Sequence, residues 1–363
     1  MKQFSFLIMV TLIVTTSFSQ NVRDTLVPNG QMEGVKAIKL TSSINHHDYV
    51  ILVKLPASYN DTLKKAYPVM YVLDAQWTFP QILDAQNALL YDNLVDEMIY
   101  VGIAFPQNWF VNRNRDFTPT HTDFDSVSGG APAFLDAIKK EIIPYINSAY
   151  RTDKKNNGLV GGSLGGLFVL YTLFQQPSAF NRFIVNSPSL WYDNQLLYKM
   201  EKDFSEKHQD LNAKLYISTG GYEEEMAPAP AFKSFCDQLR ARNYKGLEME
   251  SLVVEKTGHL TASSYGNIRG LQFVYNKADV KVDSSLLNQF AGHYELGMTF
   301  VRQGNSMYVD MGTKKILLHA ISNESFFIPG SNGIAEFTKD AGGKTTGVNL
   351  KTADGSFYSK KID

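Results

Sequence analysis

Short runs that are apolar on both faces alternate with helical segments through the chain up to about residue 275. The runs 67–74 and 98–104 show this pattern most clearly. A strand that is apolar on both faces belongs inside a sheet that helices cover on each side. Alternating strands and helices favour parallel pairing, because parallel neighbours need a crossover connection that is usually a helix. The pattern therefore predicts an α/β domain with a mostly parallel central sheet and helices on both faces.

Further strands and two helices complete this predicted domain. The additional strands are expected at residues 48–56, 158–161, 183–186, 213–219 and 248–255. A helix is expected at residues 133–150, where apolar side chains recur at i, i+4 spacing on one face. A second, apolar helix is expected at residues 167–174. We therefore place the α/β domain at residues 20–276.

The character of the chain changes after Tyr275. Residues 277–285 are polar and charged, which predicts a linker. From residue 286 onward helical periodicity is weak, and turn signals with glycine or asparagine recur at short intervals. Short alternating segments between such turns are typical of antiparallel strands. Residues 286–363 are therefore predicted to form a small antiparallel β-barrel or sandwich.

The first residues have the pattern of an export signal. Lys2 gives a positive start, and the apolar run 4–14 is shorter than the roughly 20 residues that span a bilayer. The small residues Ser17 and Ser19 precede a candidate cleavage point before Gln20. We read residues 1–19 as a cleaved signal peptide; the alternative is an uncleaved anchor. We expect an exported protein, periplasmic or secreted, without stable membrane insertion.

Charge and metal-ligand content narrow the range of partners. The 35 Lys and Arg residues balance 36 Asp and Glu residues, so the formal charge is −1. This argues against a nucleic acid or an anionic membrane as the main partner, because both need a concentrated basic surface. The single cysteine, Cys236, allows neither an internal disulfide nor a cysteine-cluster metal site. The histidines His46, His47 and His121 could suggest a metal site, but they lack a third metal ligand at a recognisable spacing. We expect a small-molecule or carbohydrate-linked partner and no metal, and the sequence defines no oligomeric state.

Gly161-Gly162-Ser163-Leu164-Gly165 fits the pattern G-x-S-x-G. A predicted strand leads directly into it and an apolar helix leads out, which is the setting of a nucleophile at a sharp strand-to-helix turn. Small neighbours let the strained backbone pass, and the helix N-terminus directs amide groups toward a developing oxyanion. The alternatives are a packing turn or a phosphate-binding turn, and the latter lacks the Lys-Ser/Thr pair of such loops. We therefore predict that Ser163 is a nucleophile.

A serine nucleophile needs a histidine that takes its proton and a carboxylate that orients the histidine. His259 follows a predicted strand on a loop at its carboxyl end, where parallel sheets place their sites. We predict that His259 is the base; the alternative is a surface loop histidine. The acid is expected after the preceding strand, where Glu223, Glu224 and Glu225 are adjacent and leave the choice open.

The oxyanion of acyl transfer needs two backbone N–H donors. One is expected from Leu164, directly after the nucleophile. The other is expected from Ala75 or Gln76, in the loop that follows the run 67–74.

Four further side chains are candidates for contact with the substrate. Trp77 and Trp191 are expected to wall an acyl or aromatic pocket, and the alternative is an ordinary place in the core. Arg113 and Arg115 are candidates for binding an anionic substrate group through the guanidinium fork, and of the two we select Arg115, although such arginines more often pair with nearby acids. The alternative for these arginines is a structural ion pair with an acid such as Asp116.

Five motifs occur in an order that resembles one protein family. They are Tyr-Pro-Val-Met-Tyr-Val-Leu-Asp (67–74), Arg-Asn-Arg-Asp-Phe-Thr-Pro (113–119), Gly-Gly-Ser-Leu-Gly-Gly (161–166), Asn-Ser-Pro-Ser-Leu-Trp (186–191) and Thr-Gly-His (257–259). Over about residues 30–275 the chain resembles the putative-esterase family of α/β-hydrolases. Its members include enterobactin and other siderophore-lactone esterases, feruloyl and acetyl esterases, S-formylglutathione hydrolases and mycolyltransferases. The tail resembles, less specifically, small β-barrel modules of bacterial secreted hydrolases.

The resemblance also implies two assignments in the site. The acid of the family commonly lies in Gly-x-x-Glu/Asp, which corresponds here to Gly220-x-x-Glu223. The Leu-Asp-Gly of the family is Leu-Asp-Ala at residues 73–75 of this chain. Similar enzymes imply that Gln76 supplies the second oxyanion amide.

Together these observations predict an exported serine carboxylesterase. Ser163 attacks an ester carbonyl, His259 acts as base and then as acid, and Glu223 orients His259. Water then clears the acyl-enzyme, and no cofactor is needed. Siderophore lactones and feruloyl or acetyl carbohydrate esters are the candidate substrates. The alternatives are an acyltransferase that uses the same residues, and a binding protein whose hydrolase core is vestigial.

Overall fold

The computed structural model describes residues 32–59, 64–123, 125–226, 231–330, 333–352 and 355–362. The predicted signal peptide, residues 1–19, lies outside these ranges. Within them, no helix combines the length and apolar character that crossing a membrane requires.

Eight strands form the first sheet, in the order β1-β2-β4-β3-β5-β6-β7-β8. These strands are β1 (Val35–Thr41), β2 (Asp48–Lys54), β3 (Tyr67–Val72), β4 (Ile99–Ala104), β5 (Thr152–Gly162), β6 (Arg182–Asn186), β7 (Asp210–Gly220) and β8 (Lys245–Val254). Strand β2 pairs antiparallel with both β1 and β4, and the other neighbouring strands pair in parallel. The predicted mostly parallel sheet is confirmed.

Helices cover both faces of this sheet. They are α1 (Ala75–Tyr91), α2 (Trp109–Asp116), α3 (Ala131–Ala137), α4 (Ile143–Ala149), α5 (Leu164–Gln175), α6 (Tyr192–Ser205), α7 (Gly221–Met226), α8 (Ala231–Arg242) and α9 (His259–Val274). Alternate residues of a strand point to opposite faces. Accordingly Tyr71 packs in one apolar cluster with Phe134 and Phe168, whereas Met70 packs in the other with Phe79. The doubly apolar character of β3 in the sequence thus reflects burial from both sides.

Two elements differ from the sequence-based prediction. Strand β1 was not expected, because at the sheet edge its side chains are at most half-buried and it carries the exposed Lys36 and Lys39. The predicted helix 133–150 forms, but as α3 and α4 joined by a π-helical segment, Ile138–Ile142. The i, i+4 spacing of its apolar residues therefore predicts the helix but does not predict the π-helical segment within it.

The C-terminal residues form a second sheet of eight antiparallel strands in sequential order. They are β9 (Gly292–Tyr294), β10 (Met298–Gln303), β11 (Ser306–Asp310), β12 (Lys315–Ala320), β13 (Ser325–Ile328), β14 (Gly333–Lys339), β15 (Thr345–Thr352) and β16 (Gly355–Lys360). The first and last strands meet, because Tyr294 bridges to Lys361 and the Ile362 N–H donates to the His293 carbonyl at 2.9 Å. The sheet therefore closes into a barrel, and the predicted all-β module is confirmed.

Aromatic side chains fill the interior of the barrel. A short helix, α10 (Ser284–Phe290), precedes the barrel and places Phe290 against Phe337, with the two rings stacked at 4.3 Å. Phe300 and Phe326 also pack against Phe337. As in other small barrels, side chains occupy the centre and leave it packed.

The segment between the two units contacts both of them. Asn276 forms a bridge with Val95, and Lys277 lies 3.1 Å from Asp96 of the α/β domain. Three residues further on, the Val280 N–H donates to the Ala320 carbonyl of the barrel at 2.9 Å. These contacts hold the barrel near the C-terminal end of α1, a helix about 25 Å long at 1.5 Å per residue.

The packing of Phe290 predicts which substitution weakens the barrel. Phe290→Ala should destabilise the barrel by about 3–5 kcal/mol, because it removes a fully buried ring and leaves a cavity. Phe357→Ala, which removes a ring that is 50% exposed on the same barrel, is the matched control and should have little effect.

Two optical signals separate the units, because all three tryptophans lie in the α/β domain. Urea unfolding of Phe290→Ala should show an earlier circular dichroism transition with an unchanged tryptophan fluorescence midpoint. An equal shift of both signals would contradict independent unfolding of the barrel.

Candidate active site

Ser163 occupies a sharp turn between β5 and α5. Its backbone has φ 60 and ψ −122, a conformation that non-glycine residues rarely adopt. The turn is held on both sides, because the Ser163 N–H donates to the Asn186 carbonyl at 2.9 Å and its carbonyl accepts from Ser189 N–H at 3.1 Å. A Cβ at Gly161 would lie 2.6 Å from the Gly165 carbonyl, so this position accepts only glycine. The geometry matches that of a nucleophile elbow.

The structure brings His259 and Glu223 together. His259 begins α9, directly after the loop that leaves β8, and Glu223 lies in α7, directly after β7. The His259 Nδ1 atom lies 2.5 Å from Glu223 Oε2. Neither Glu224 nor Glu225 has a recorded hydrogen bond to His259 within the described ranges. Of the three adjacent carboxylates, Glu223 is thus the one that contacts the imidazole.

The other oxygen of Glu223 accepts two hydrogen bonds. Ser187 Oγ donates to Glu223 Oε1 at 2.7 Å, and the Gly220 N–H donates to the same oxygen at 3.0 Å. Burial by itself would raise the pKa of Glu223, but the hydrogen bonds from His259, Ser187 and Gly220 outweigh it and hold the pKa below its ordinary value. The carboxylate is therefore kept ionised and its orientation is fixed.

Two helix N-termini lie close together beside Ser163. Leu164 is the first residue of α5, and Ala75 and Gln76 are the first two residues of α1. Amide groups in the first turn of a helix have no acceptor within the helix. The helix dipole also favours negative charge at this end. The arrangement can supply backbone donors to an oxyanion that forms on the substrate.

A buried ion pair fixes the start of α1. Asp74, which caps the helix in the left-handed conformation at φ 50, accepts hydrogen bonds from Arg113 Nε at 3.1 Å and Arg113 Nη2 at 3.0 Å. Burial raises the pKa of Asp74, and the Arg113 guanidinium opposes that rise. The pair ties the start of α1 to α2.

A cavity of about 540 Å³ opens onto Ser163 and His259. Trp77, Trp109 and Phe110 form an aromatic wall, in which the Trp77 and Trp109 rings meet edge to face at 4.5 Å. All residues that line the cavity lie between positions 74 and 267, so they belong to the α/β domain. The cavity combines an apolar wall with a polar, reactive floor.

Two of the expected substrate contacts lie elsewhere. Arg115 does not line the cavity, because its guanidinium binds the Asp116 carboxylate at 2.7 and 2.9 Å. This is the ion pair with Asp116 that the sequence offered as the alternative. Trp191 also stays out of the lining, since it precedes α6 on the surface and is 56% exposed. Arg113 lines the cavity instead, and Trp77 lines it as expected.

Sequence reasoning did not select Trp109, Phe110 or Ser187. A signal for the first two was available, because adjacent large aromatics in an otherwise polar stretch are often exposed for binding. Ser187 lies in the motif 186–191, but nothing in that motif indicates its contact with Glu223, which depends on two strands that are distant in sequence. Within the described ranges, no three His, Cys, Asp or Glu side chains cluster as metal ligands do.

A family model described as "Putative esterase" matches residues 42–260, more than half of the chain. Ferri-bacillibactin esterase BesA of Bacillus subtilis is 26% identical in an alignment 259 residues long, which covers 66% of this chain and 89% of that protein. Siderophore triacetylfusarinine C esterase of Aspergillus fumigatus is 26% identical in an alignment 212 residues long, which covers 55% of this chain and 72% of the relative.

Solved structures show the same fold. The BES protein from Bacillus cereus superposes with a TM-score of 0.61 at 25% identity, covering 70% of this chain and 100% of that one. An IroE-like serine hydrolase from Shewanella oneidensis superposes with a TM-score of 0.60 at 26% identity, covering 66% of this chain and 80% of that one. The first domain therefore has the α/β-hydrolase fold.

The burial of the Asp74–Arg113 pair predicts a large effect of breaking it. Arg113→Met should lower the free energy of unfolding by about 3–5 kcal/mol, because it leaves a buried carboxylate without its partner. Arg240→Met is the control, since Arg240 pairs with Asp237 at the surface and should contribute less than about 1 kcal/mol. Urea unfolding followed by tryptophan fluorescence measures both. Equal, small losses would show that the pair does not fix the start of α1.

Proposed function

This chain belongs to the putative-esterase family of α/β-hydrolases and is a carboxylic ester hydrolase, and we propose that it cleaves its ester through a Ser163–His259–Glu223 triad. The observation that carries the proposal is the 2.5 Å contact between His259 Nδ1 and Glu223 Oε2, beside the cavity that Ser163 and His259 both line. The elbow geometry of Ser163 supports the same assignment.

Glu223 determines which nitrogen of His259 is available for proton transfer. When the Nδ1–H donates to the carboxylate, the lone pair of the neutral imidazole is on Nε2. A carboxylate at this position also stabilises the imidazolium that forms during the reaction. The depressed pKa of Glu223 keeps this negative charge in place.

The reaction proceeds in two halves. His259 takes the Ser163 hydroxyl proton as Oγ attacks the ester carbonyl, and the N–H groups of Leu164 and Gln76 stabilise the oxyanion. The tetrahedral intermediate collapses as His259 gives its proton to the leaving alcohol, which leaves an acyl-enzyme. His259 then takes a proton from water, the hydroxide attacks the acyl carbon, and the acid leaves as the proton returns to Ser163.

We propose a siderophore ester as the substrate. Two relatives are named as siderophore esterases, from a bacterium and from a fungus. The wall of Trp77, Trp109 and Phe110 supports a substrate with planar or apolar groups, which such rings contact efficiently. We also propose that residues 1–19 direct export, so that the enzyme meets its substrate in the periplasm or outside the cell.

The triad predicts unequal effects of three substitutions. Ser163→Ala should lower kcat by roughly 10⁵–10⁶, as loss of a triad nucleophile does elsewhere, with little change in KM. Glu223→Gln should lower kcat by roughly 10²–10⁴, by analogy with neutralising a triad acid. Glu224→Gln is the matched control and should stay near wild type. Hydrolysis of p-nitrophenyl acetate measures all three.

Two outcomes would reject the triad. A loss below tenfold for Ser163→Ala would exclude Ser163 as nucleophile. Equal, small losses for Glu223→Gln and Glu224→Gln would exclude Glu223 as the acid. Labelling of the wild type by a fluorophosphonate, absent in Ser163→Ala, gives an independent check of the nucleophile.

A substrate panel tests the proposed class. The enzyme should release fragments from an iron-loaded siderophore lactone with a higher kcat/KM than it releases acetate or ferulate from carbohydrate esters. Chromatography of the products identifies the bond that is cleaved. Preferential release of acetate or ferulate would contradict the siderophore proposal, and transfer of the acyl group to an added alcohol in preference to water would indicate an acyltransferase.

A further inference from the structure

Ser187 holds an unusual backbone conformation directly after β6. Its φ is 44, in the left-handed region that glycine adopts without strain and serine rarely adopts. The residue is buried, and its N–H donates to the Ser218 carbonyl at 2.7 Å. Strained non-glycine residues that persist at a site indicate a use for their side chain.

The Ser187 hydroxyl is a hydrogen-bond donor to the Glu223 carboxylate. Oγ donates to Glu223 Oε1 at 2.7 Å, and the Gly220 N–H donates to that same oxygen. The second carboxylate oxygen, Oε2, is left for His259. The donors on Oε1 therefore determine which oxygen faces the imidazole and how the carboxylate plane is turned.

We propose that Ser187 is a positioning residue for ester hydrolysis, acting through the Glu223 carboxylate on the orientation of His259. The inference rests on the proposed triad. Ser187 touches neither Ser163 nor His259 in any recorded hydrogen bond, so its effect on the reaction passes through Glu223. Without its hydroxyl, Oε1 keeps one donor and the carboxylate is free to rotate away from Nδ1.

Loss of the hydroxyl should act on the chemical step and leave binding unchanged. A hydrogen bond to a charged group, when it keeps the carboxylate oriented toward the imidazolium that forms, is worth about tenfold in rate. Ser187→Ala should therefore lower kcat on p-nitrophenyl acetate about tenfold, with KM within twofold of wild type. Because Ser187 does not line the cavity, a change confined to KM would contradict the proposal.

A second variant separates the hydroxyl from the fold. Ser187→Gly also removes the hydroxyl, but glycine relieves the positive φ, so this variant should be at least as stable as Ser187→Ala. Both variants should lose kcat to the same extent if the hydroxyl matters. Thr172→Val is the control, because it removes a buried hydroxyl near the C-terminal end of α5 that has no hydrogen-bond partner among the described residues and does not line the cavity; its kcat should stay near wild type.

A double-mutant cycle tests whether Ser187 acts through Glu223. In a Glu223→Ala background, Ser187→Ala should change kcat less than twofold, because the carboxylate that it orients is absent. A tenfold loss that persists in that background would overturn the proposal, as would wild-type kcat in both Ser187→Ala and Ser187→Gly.

The cycle also distinguishes this inference from the triad itself. If Glu223→Ala alone retains wild-type kcat, the proposed triad is wrong and Ser187 has no route to the reaction. If Glu223→Ala loses activity while both Ser187 variants keep theirs, the triad stands and only the role of Ser187 is refuted.

Discussion

The in-register parallel pairing of β5, β6 and β7 determines where the groups of the site lie. Gly162 of β5 pairs with Asn186 of β6, and Asn186 pairs with Ser218 of β7, so these strands end along one edge. Side chains that follow parallel strands at such an edge become neighbours whatever their distance in sequence. Ser163, Ser187 and Glu223 follow β5, β6 and β7 at this edge, and His259 follows β8, which pairs in parallel with β7 up to Val254. The elbow, the acid contact and the cavity floor all depend on this alignment.

This dependence explains what the sequence predicted well. A buried parallel strand appears in the sequence as a run that is apolar on both faces. The residues of the turn that follows the strand lie at the carboxyl edge of the sheet. Ser163 and His259 could be selected because each follows such a run in a recognisable local context. Glu223 needed the Gly-x-x-Glu resemblance, because local chemistry did not distinguish it from the two acids that follow it. In the folded chain Glu223 is the one of the three that contacts His259.

The features that the sequence left out are those that arise between elements. Arg113 and Arg115 are two residues apart on α2, and only packing decides that Arg113 reaches Asp74 while Arg115 turns to Asp116. The aromatic wall likewise forms because α1 and α2 meet at Trp77 and Trp109. Such pairings are long-range in sequence and have no periodic signal. Strand β1 gave no such signal for a different reason, because at the sheet edge its side chains are at most half-buried and its sequence contains no continuous apolar run.

The closure of the C-terminal barrel has a consequence for self-association. Unpaired strand edges act as templates on which other chains add strands and aggregate. In the part of the chain that the structure describes, the barrel offers no such template, because Tyr294 and Lys361 join its first and last strands. The first sheet ends at β1 and β8, whose edges carry charged side chains such as Lys36, Lys39 and Glu248. The joined ends of the barrel and the charged edges of the first sheet both disfavour edge-to-edge pairing with another chain.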